Sequence, residues 1–199
     1  MNQSFIETLK NRRTHYQISN QIPCSDNQLI ELVQEVVKHT PSAFNSQSSR
    51  VIVLFGEQHK KLWNIVEETL RKLVPADKFA PTEEKIASFR AGCGSLLFFE
   101  DQKVVEKLQQ QFPLYKDNFP TFSSHSAGMV QHAMWVALAE RGIGASLQHY
   151  NPVIDESVHR EWGIPSDWKL VSQMPFGTPT APPGEKDFLP IDSRVKVYK

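Results

Sequence analysis

Three short stretches of the chain hold polar groups that no ordinary turn requires. Asn11–Tyr16 reads NRRTHY, with Arg12 and Arg13 adjacent and Thr14 directly after them. Guanidinium groups present planar forks of N–H donors that suit a phosphate, and a neighbouring hydroxyl adds one more hydrogen bond. Thr40–Arg50 reads TPSAFNSQSSR, where Ser42, Asn45 and Gln47 supply hydroxyl and amide groups that both donate and accept, as the edge of a heterocycle demands. Leu147–Pro152 reads LQHYNP, a short strand whose backbone N–H groups, at Gln148 and His149, complete the set. Taken singly, the three read equally well as a solvated helix end, a helix-to-strand turn and an Asn-Pro turn. Together they form the inventory that a flavin mononucleotide (FMN) requires: donors for an anion, a donor–acceptor edge and backbone amides.

Other chemistries lack their signatures. Gly142-Ile143-Gly144 follows a helix and misses the third glycine of a dinucleotide fingerprint, and there is no P-loop, HExxH or GxSxG. His125 and His132 lie seven residues apart, two turns along one helix face, which reads as one capping or surface histidine and one packed; no metal site is expected, because a metal needs nearer ligands. Lys plus Arg and Asp plus Glu number 22 each, so no net field gathers nucleic acid or an anionic membrane. Cys24 and Cys93 form no CxxC pair and are expected to be free thiols, Cys93 buried. The N-terminal MNQSFIETLKNRR has no apolar core of signal-peptide length, and no run approaches the ~20 apolar residues of a membrane span. A cytoplasmic protein is expected.

A chain of 199 residues fits a single domain over 1–199. Phe5–Asn11 reads as a short helix delivering the arginines. Ser25 and Gln28 match a capping box, and Leu29, Leu32, Val33, Val36 and Val37 continue at helical spacing, predicting a helix over Asp26–Lys38. VIVLF at Val51–Phe55 and Leu96–Phe99 within GCGSLLFFE are continuous apolar runs, the pattern of strands covered on both faces. Helices are predicted over His59–Leu73 and Thr82–Arg90, around Val104–Leu108, and over Asp155–Glu161. QFPLYKDNFPTFSS reads as a long aromatic loop, a pocket lid or a partner-facing surface. Ser126–Arg141 is apolar on most of its circumference, which calls for burial on every side and, in a chain this small, for a subunit interface. ASLQHY and KLVSQMPFG read as further strands. The tail, 177–199, is rich in Pro and Gly and closes on the alternating RVKVY, an edge strand expected to reach a partner subunit. Helices alternating with short buried strands give an α/β or α+β sheet covered by helices.

The residues that carry a family likeness lie along nearly the whole chain in order: RRTHY after a short first helix, TPSAFNSQ, the apolar helix running into GIGASLQHYNP, and LPIDSR in the tail. In these the sequence resembles the nitroreductase family of FMN-dependent oxidoreductases, which carries a Thr/Ser-Pro-Ser, two further residues, then Asn-x-Gln. The resemblance implies a three-layer α/β/α, α+β fold with a mostly antiparallel sheet, a C-terminal strand exchanged between subunits, and a homodimer with FMN at its interface. It also implies that Arg12, Arg13 and Thr14 lie at the FMN phosphate and ribityl chain, with Arg194 closing the phosphate from the tail. Ser42, Asn45 and Gln47 would face the ribityl chain and pyrimidine edge from the other subunit, and Gln148 and His149 would run along the flavin near N5 with their backbone N–H groups as donors. Two departures stand out. Ser48-Ser49 occupies the place where many members have Pro-Trp, and Gln148-His149-Tyr150 the place where many have Glu-Gly; these features resemble a smaller branch of fungal and bacterial proteins tied to fatty-acid-dependent signalling and to nitro-compound or copper stress.

The activity so implied is ping-pong hydride transfer from NADH or NADPH through flavin N5 to a small electron-poor acceptor such as a nitroaromatic or a quinone. Hydride transfer needs no side-chain acid or base, so no catalytic residue is assigned. His149 is the one titratable side chain expected near the ring. The alternative is a non-catalytic flavin- or lipid-binding regulator that uses the same pocket as a sensor.

Overall fold

The computed structural model describes residues 4–199; Met1–Gln3, the start of the segment read for a leader sequence, lie outside the described residues. Five strands form one sheet: β1 (Ile18–Ser19), β2 (Ser49–Phe55), β3 (Gly94–Asp101), β4 (Gly144–Ala145) and β5 (Trp168–Pro179). Their order is β1-β5-β3-β2, with β4 also paired to β5, and every pairing is antiparallel. Seven α-helices accompany them: α1 (Phe5–Asn11), α2 (Asp26–His39), α3 (Gly56–Arg71), α4 (Ala80–Arg90), α5 (Gln102–Gln111), α6 (Phe119–Glu140) and α7 (Asp155–Trp162). Among the described residues no helix is long and apolar enough to cross a membrane.

Strand alternation builds the layers. Leu96 and Phe98 of β3 enter one core with Leu29 and Leu32 of α2 and Val130, Met134 and Leu138 of α6. Leu97 and Phe99 point the other way, into a second core with Leu62, Trp63 and Val66 of α3, Ile86 and Phe89 of α4 and Val158 of α7. The three-layer, mostly antiparallel arrangement is therefore the expected one, and its cause is the continuous apolar run of β3. The capping box that starts α2 is formed as the sequence predicts, with Ser25 Oγ accepting from the Gln28 amide and Gln28 Oε1 accepting from the Ser25 amide. Gly142 closes α6 at φ +71°, a left-handed position suited to glycine.

Several expectations are corrected. The stretch read as a long aromatic loop is mostly helical: Pro113–Asn118 is a 3₁₀ segment and α6 starts at Phe119, seven residues before the predicted Ser126, because Pro120 sits in the first turn, where its missing N–H costs nothing. Of ASLQHY only Ala145, the second residue of β4, is in a strand, with a single further bridge from Gln148 to Gln173. RVKVY, expected to pair with a partner subunit, pairs with no strand of its own chain: 180–199 has no regular structure apart from a 3₁₀ turn at Ile191–Ser193, and Phe188, Leu189, Val195, Val197 and Tyr198 are exposed. β1 has no signal in the sequence and is held by pairing with Thr178 and Pro179. Cys93 is half-buried rather than buried. Within its own chain α6 leaves an exposed stripe at His125, Gly128, Met129 and His132, Met129 at 40%, so neither histidine is packed by this chain.

In the second core His59 is 1% exposed and its ring is fully paired. Nδ1 lies 2.9 Å from Ser95 Oγ, Nε2 lies 3.2 Å from the Arg90 carbonyl oxygen, and Ser95 Oγ accepts from Trp63 Nε1 at 3.0 Å. Only one proton assignment satisfies all four groups: neutral imidazole with the proton on Nε2 donating to Arg90, and the Ser95 hydroxyl donating to Nδ1. Burial, against the opposing pull of the Arg90 carbonyl, holds this imidazole down to about 4. Between the unfolded value near 6.5 and that folded value, the unfolded chain binds a proton the folded chain refuses. Stability therefore falls as pH drops through this window, by about 3 kcal/mol from this group, and stops falling below it.

Two expected outcomes follow. His59→Gln, which can accept from Ser95 and donate to Arg90 without titrating, flattens the dependence of urea-unfolding free energy on pH between 6.5 and 4 by about 3 kcal/mol; an unchanged slope would show that the proton is taken up elsewhere. Gly177 of β5 lies so close to β1 that an added Cβ would sit 2.1 Å from the Ser19 carbonyl oxygen. Gly177→Ala should cost roughly 2 kcal/mol or more in chemical denaturation, since the opposing atom is backbone and cannot swing away.

Candidate functional site

Paired arginines without an acid beside them are the first feature of the site. Arg12 and Arg13 leave the end of α1, where the chain turns extended and Thr14 bridges in parallel to Ala145 of β4, the His15 amide donating to the Ala145 carbonyl at 3.0 Å. The Arg12 guanidinium lies 4.4 Å above the Trp135 ring of α6, a cation–π contact that orients its plane. Burial first, and the neighbouring charge of Arg13 second, lower the Arg12 pKa, and no acidic side chain among the described residues offsets either effect. An anion placed here would relieve both. Arg13 donates one hydrogen bond to the Gly184 carbonyl, pinning the start of the tail over the Thr14–Gln17 segment, where the Thr180 amide also donates to Gln17 at 3.1 Å.

The bridge to Ala145 brings the arginine segment alongside the chain that continues into Gln148 and His149. The Gln148 amide donates to the Gln173 carbonyl at 2.7 Å, and the Tyr150 amide donates to Gln173 Oε1 at 2.8 Å. The amides on either side of His149 are thus both engaged by Gln173, and the His149 side chain is exposed. Of the two backbone donors expected here, only that of His149 is left for a ligand. The Gln148 side chain is buried and donates to Ser146 Oγ at 3.1 Å.

The Ser42–Gln47 loop lies elsewhere on the molecule. Ser42 Oγ accepts from the Gln47 amide at 2.9 Å, and the Ala43 amide donates to Ser126 Oγ on α6 at 3.3 Å. Phe44, Asn45 and Gln47 have φ of 57°, 50° and 50°, left-handed values that side chains rarely adopt. The outcome is that the Asn45 and Gln47 side chains stand exposed. Ser126 and Trp135 are nine residues apart on α6, which puts the loop and the arginines about 13 Å apart along that helix. The Thr14–Ala145 bridge thus links the Arg12–Thr14 segment to the chain leading to Gln148 and His149, whereas the Ser42–Gln47 loop is tied to α6 at Ser126. Arg194 is exposed on the tail, its amide bonded locally to the Ile191 carbonyl at 2.9 Å.

Four residues that matter here escape a reading of motifs. Trp135, one residue of the apolar Ser126–Arg141 run, seats Arg12. Arg50 pairs with Asp101 at 2.9 Å and donates to the Gln47 carbonyl at 2.6 Å. Phe44 packs its ring 4.9 Å from Phe112 and 5.3 Å from Phe119, so the aromatic stretch supports the loop. Glu100 ends the apolar run LLFFE and is buried; the paired hydroxyls of Ser48-Ser49, in a place where a bulkier pair is common, were the available hint. Among the described residues no group of three or more His, Cys, Asp or Glu side chains could hold a metal ion.

Comparison with known proteins agrees with this architecture. The model of the nitroreductase family matches residues 9–178. HBN1 of Saccharomyces cerevisiae is 40% identical over 194 residues, covering 96% of each chain. The nitroreductase FRM2 of the same yeast is 35% identical over 198 residues, covering 98% of this chain and 97% of its own. The nitroreductase CinD from Lactococcus lactis, solved in complex with chloramphenicol, superposes with a TM-score of 0.90 at 45% identity, over 98% of this chain and 100% of that one. The chain belongs to the nitroreductase family and is an oxidoreductase of nitroreductase type.

Proposed function

We propose that the protein is an FMN-dependent oxidoreductase that takes hydride from NADH or NADPH and passes it to small electron-poor acceptors such as nitroaromatics and quinones. The observation that carries this reading is the pair Arg12 and Arg13, with no acidic side chain among the described residues acting on Arg12, carried by a segment that bridges through Thr14 to Ala145, three residues before Gln148 and His149. An anion site beside a lone backbone donor, at the end of a short strand, fits a phosphate-bearing planar cofactor better than a phosphate alone. CinD, 45% identical, has been solved with chloramphenicol and with 4-nitrophenol, which supports a nitroaromatic acceptor.

The flavin, when bound, supplies reversible acceptance of a hydride. The chain's own part is to bind and orient. Arg12, held flat by Trp135, and Arg13 and Thr14 take the phosphate and ribityl chain, with Arg194 approaching from the tail. The His149 amide donates to the edge of the ring system near N5, and Gln148 behind it fixes the strand. Hydride transfer asks no acid or base of these residues, so their effect is on position and electrostatics.

The separation of the Ser42–Gln47 loop from the arginines is the reason to place the complete site between two copies. In a homodimer the loop of one copy would bring Ser42, Asn45 and Gln47 to the ribityl chain and pyrimidine edge on the other. The exposed stripe of α6 through Met129 and the apolar side chains of the tail are surfaces such a dimer would cover, the tail by adding its strand to the partner.

The protein as purified should show flavin absorption bands that bleach under anaerobic addition of NADH or NADPH and recover with a nitroaromatic acceptor. A colourless protein that cannot be reconstituted with FMN would overturn the assignment; bands that persist with both nucleotides would point instead to a flavin-binding sensor. Arg12→Ala should raise the FMN dissociation constant by about tenfold or more, and Asn45→Ala by less, with the fold of both intact by circular dichroism. Equal FMN affinity in Arg12→Ala and the parent protein would remove the phosphate role.

A further inference from the structure

Glu100 is buried at 3% exposure. Its three side-chain partners are all serine hydroxyls: Ser48 at 2.6 Å and Ser123 at 2.6 Å donate to Oε2, and Ser49 donates to Oε1. A carboxylate removed from water is tolerated only where donors replace its hydration, and here the donors come from two separate segments. Ser48 and Ser49 are the exit of the Ser42–Gln47 loop and the start of β2. Ser123 lies in the first half of α6, one turn before Ser126, which accepts from the loop's Ala43 amide. We propose that Glu100 is a positioning residue of the site, whose buried carboxylate gathers Ser48, Ser49 and Ser123 and thereby holds the Ser42–Gln47 loop in the conformation that presents Asn45 and Gln47 to the ligand. The proposal rests on the FMN-binding reading above for the identity of that ligand.

The loop needs such a clamp. Three non-glycine residues at positive φ make a backbone that persists only where the surroundings fix it. Asp101, next along β3, extends the clamp: its amide donates to the Ser48 carbonyl at 3.0 Å, and its side chain pairs with Arg50, which in turn donates to the Gln47 carbonyl. Two consecutive residues at the end of β3 thus secure the loop exit, Glu100 through side-chain hydroxyls and Asp101 through backbone and Arg50. The chemistry of the group matters as well as its size. A carboxylate accepts at both oxygens, whereas a glutamine amide accepts at one and donates at the other, so at least one hydroxyl would have to turn away.

The test uses the full-length protein and the variants Glu100→Gln and Ser123→Ala, with Val66→Ala in the opposite core as a control of lowered stability. Three quantities are read: thermal midpoint, FMN dissociation constant by flavin fluorescence well below that midpoint, and hydrogen exchange of peptides across 40–50 in the FMN-free protein. Glu100→Gln should raise the FMN dissociation constant about tenfold and speed exchange across 40–50, while α3 and α4 exchange as in the parent. Ser123→Ala should do the same to a smaller degree, and it decides the matter if Glu100→Gln does not fold. Val66→Ala should lower the midpoint without either effect. Variants that lose thermal stability but keep both the parent dissociation constant and the parent exchange across 40–50 would reduce Glu100 to a fold residue and overturn the proposal. A parent protein that binds no FMN would defeat the cofactor reading instead, and exchange across 40–50 would still decide whether Glu100 sets the loop.

Discussion

Everything in this molecule depends on β3 having no solvent face. Seven of its eight residues, Gly94 to Glu100, are buried, and a strand so apolar can exist only where both of its faces are covered. That constraint recruits α2 and α6 to one side and α3, α4 and α7 to the other, and it obliges β2 and β5 to pair along both edges. The polar groups that the strand does bury are then forced to find partners inside. Ser95 closes a ring of hydrogen bonds with His59 and Trp63, and Glu100 gathers serines from two segments. The strand thus specifies the layers through its apolar residues and ties down irregular chain through its polar ones.

β5 links this scaffold to the candidate site. Trp168 to Phe176 pair with β3, while Phe176 to Pro179 meet β4 and β1, so the segments carrying Arg12–Thr14 and Gln148–His149 hang on one strand. Gln173 makes the connection specific, its backbone pairing with Gln148 and its side chain taking the Tyr150 amide. A site built in this way inherits the rigidity of the sheet, whereas the Ser42–Gln47 half of the candidate site is a loop whose shape is imposed by hydrogen bonds from outside it.

Much of this was legible in the sequence because the signals are local. The Ser25–Gln28 capping box, the apolar runs of β2, β3 and β5, and Gly142 at the end of α6 each depend on a few neighbouring residues, and each is found in place. The polar clusters were visible for the same reason, as composition out of keeping with a turn. What could not be read depends on residues far apart. β1 is two residues long and exists because β5 lies beside it. Glu100 meets Ser48 across 52 positions and Ser123 across 23, so nothing in LLFFE announces its partners. The start of α6 was hidden in QFPLYKDNFPTFSS because proline ends a helix as readily as it opens one, and Pro120 sits in the first turn. The tail's alternating pattern is a strand pattern without a strand to pair with inside the chain.

The left-handed residues Phe44, Asn45 and Gln47 also bear on how this protein could change over generations or in the laboratory. Glycine adopts such a backbone freely, so selection for heat resistance alone would favour Asn45→Gly or Gln47→Gly, each relieving local strain. The same changes would delete the exposed amides that the loop holds out. Durability and ligand recognition are therefore opposed at these two positions, and a variant improved for the first should be expected to surrender part of the second.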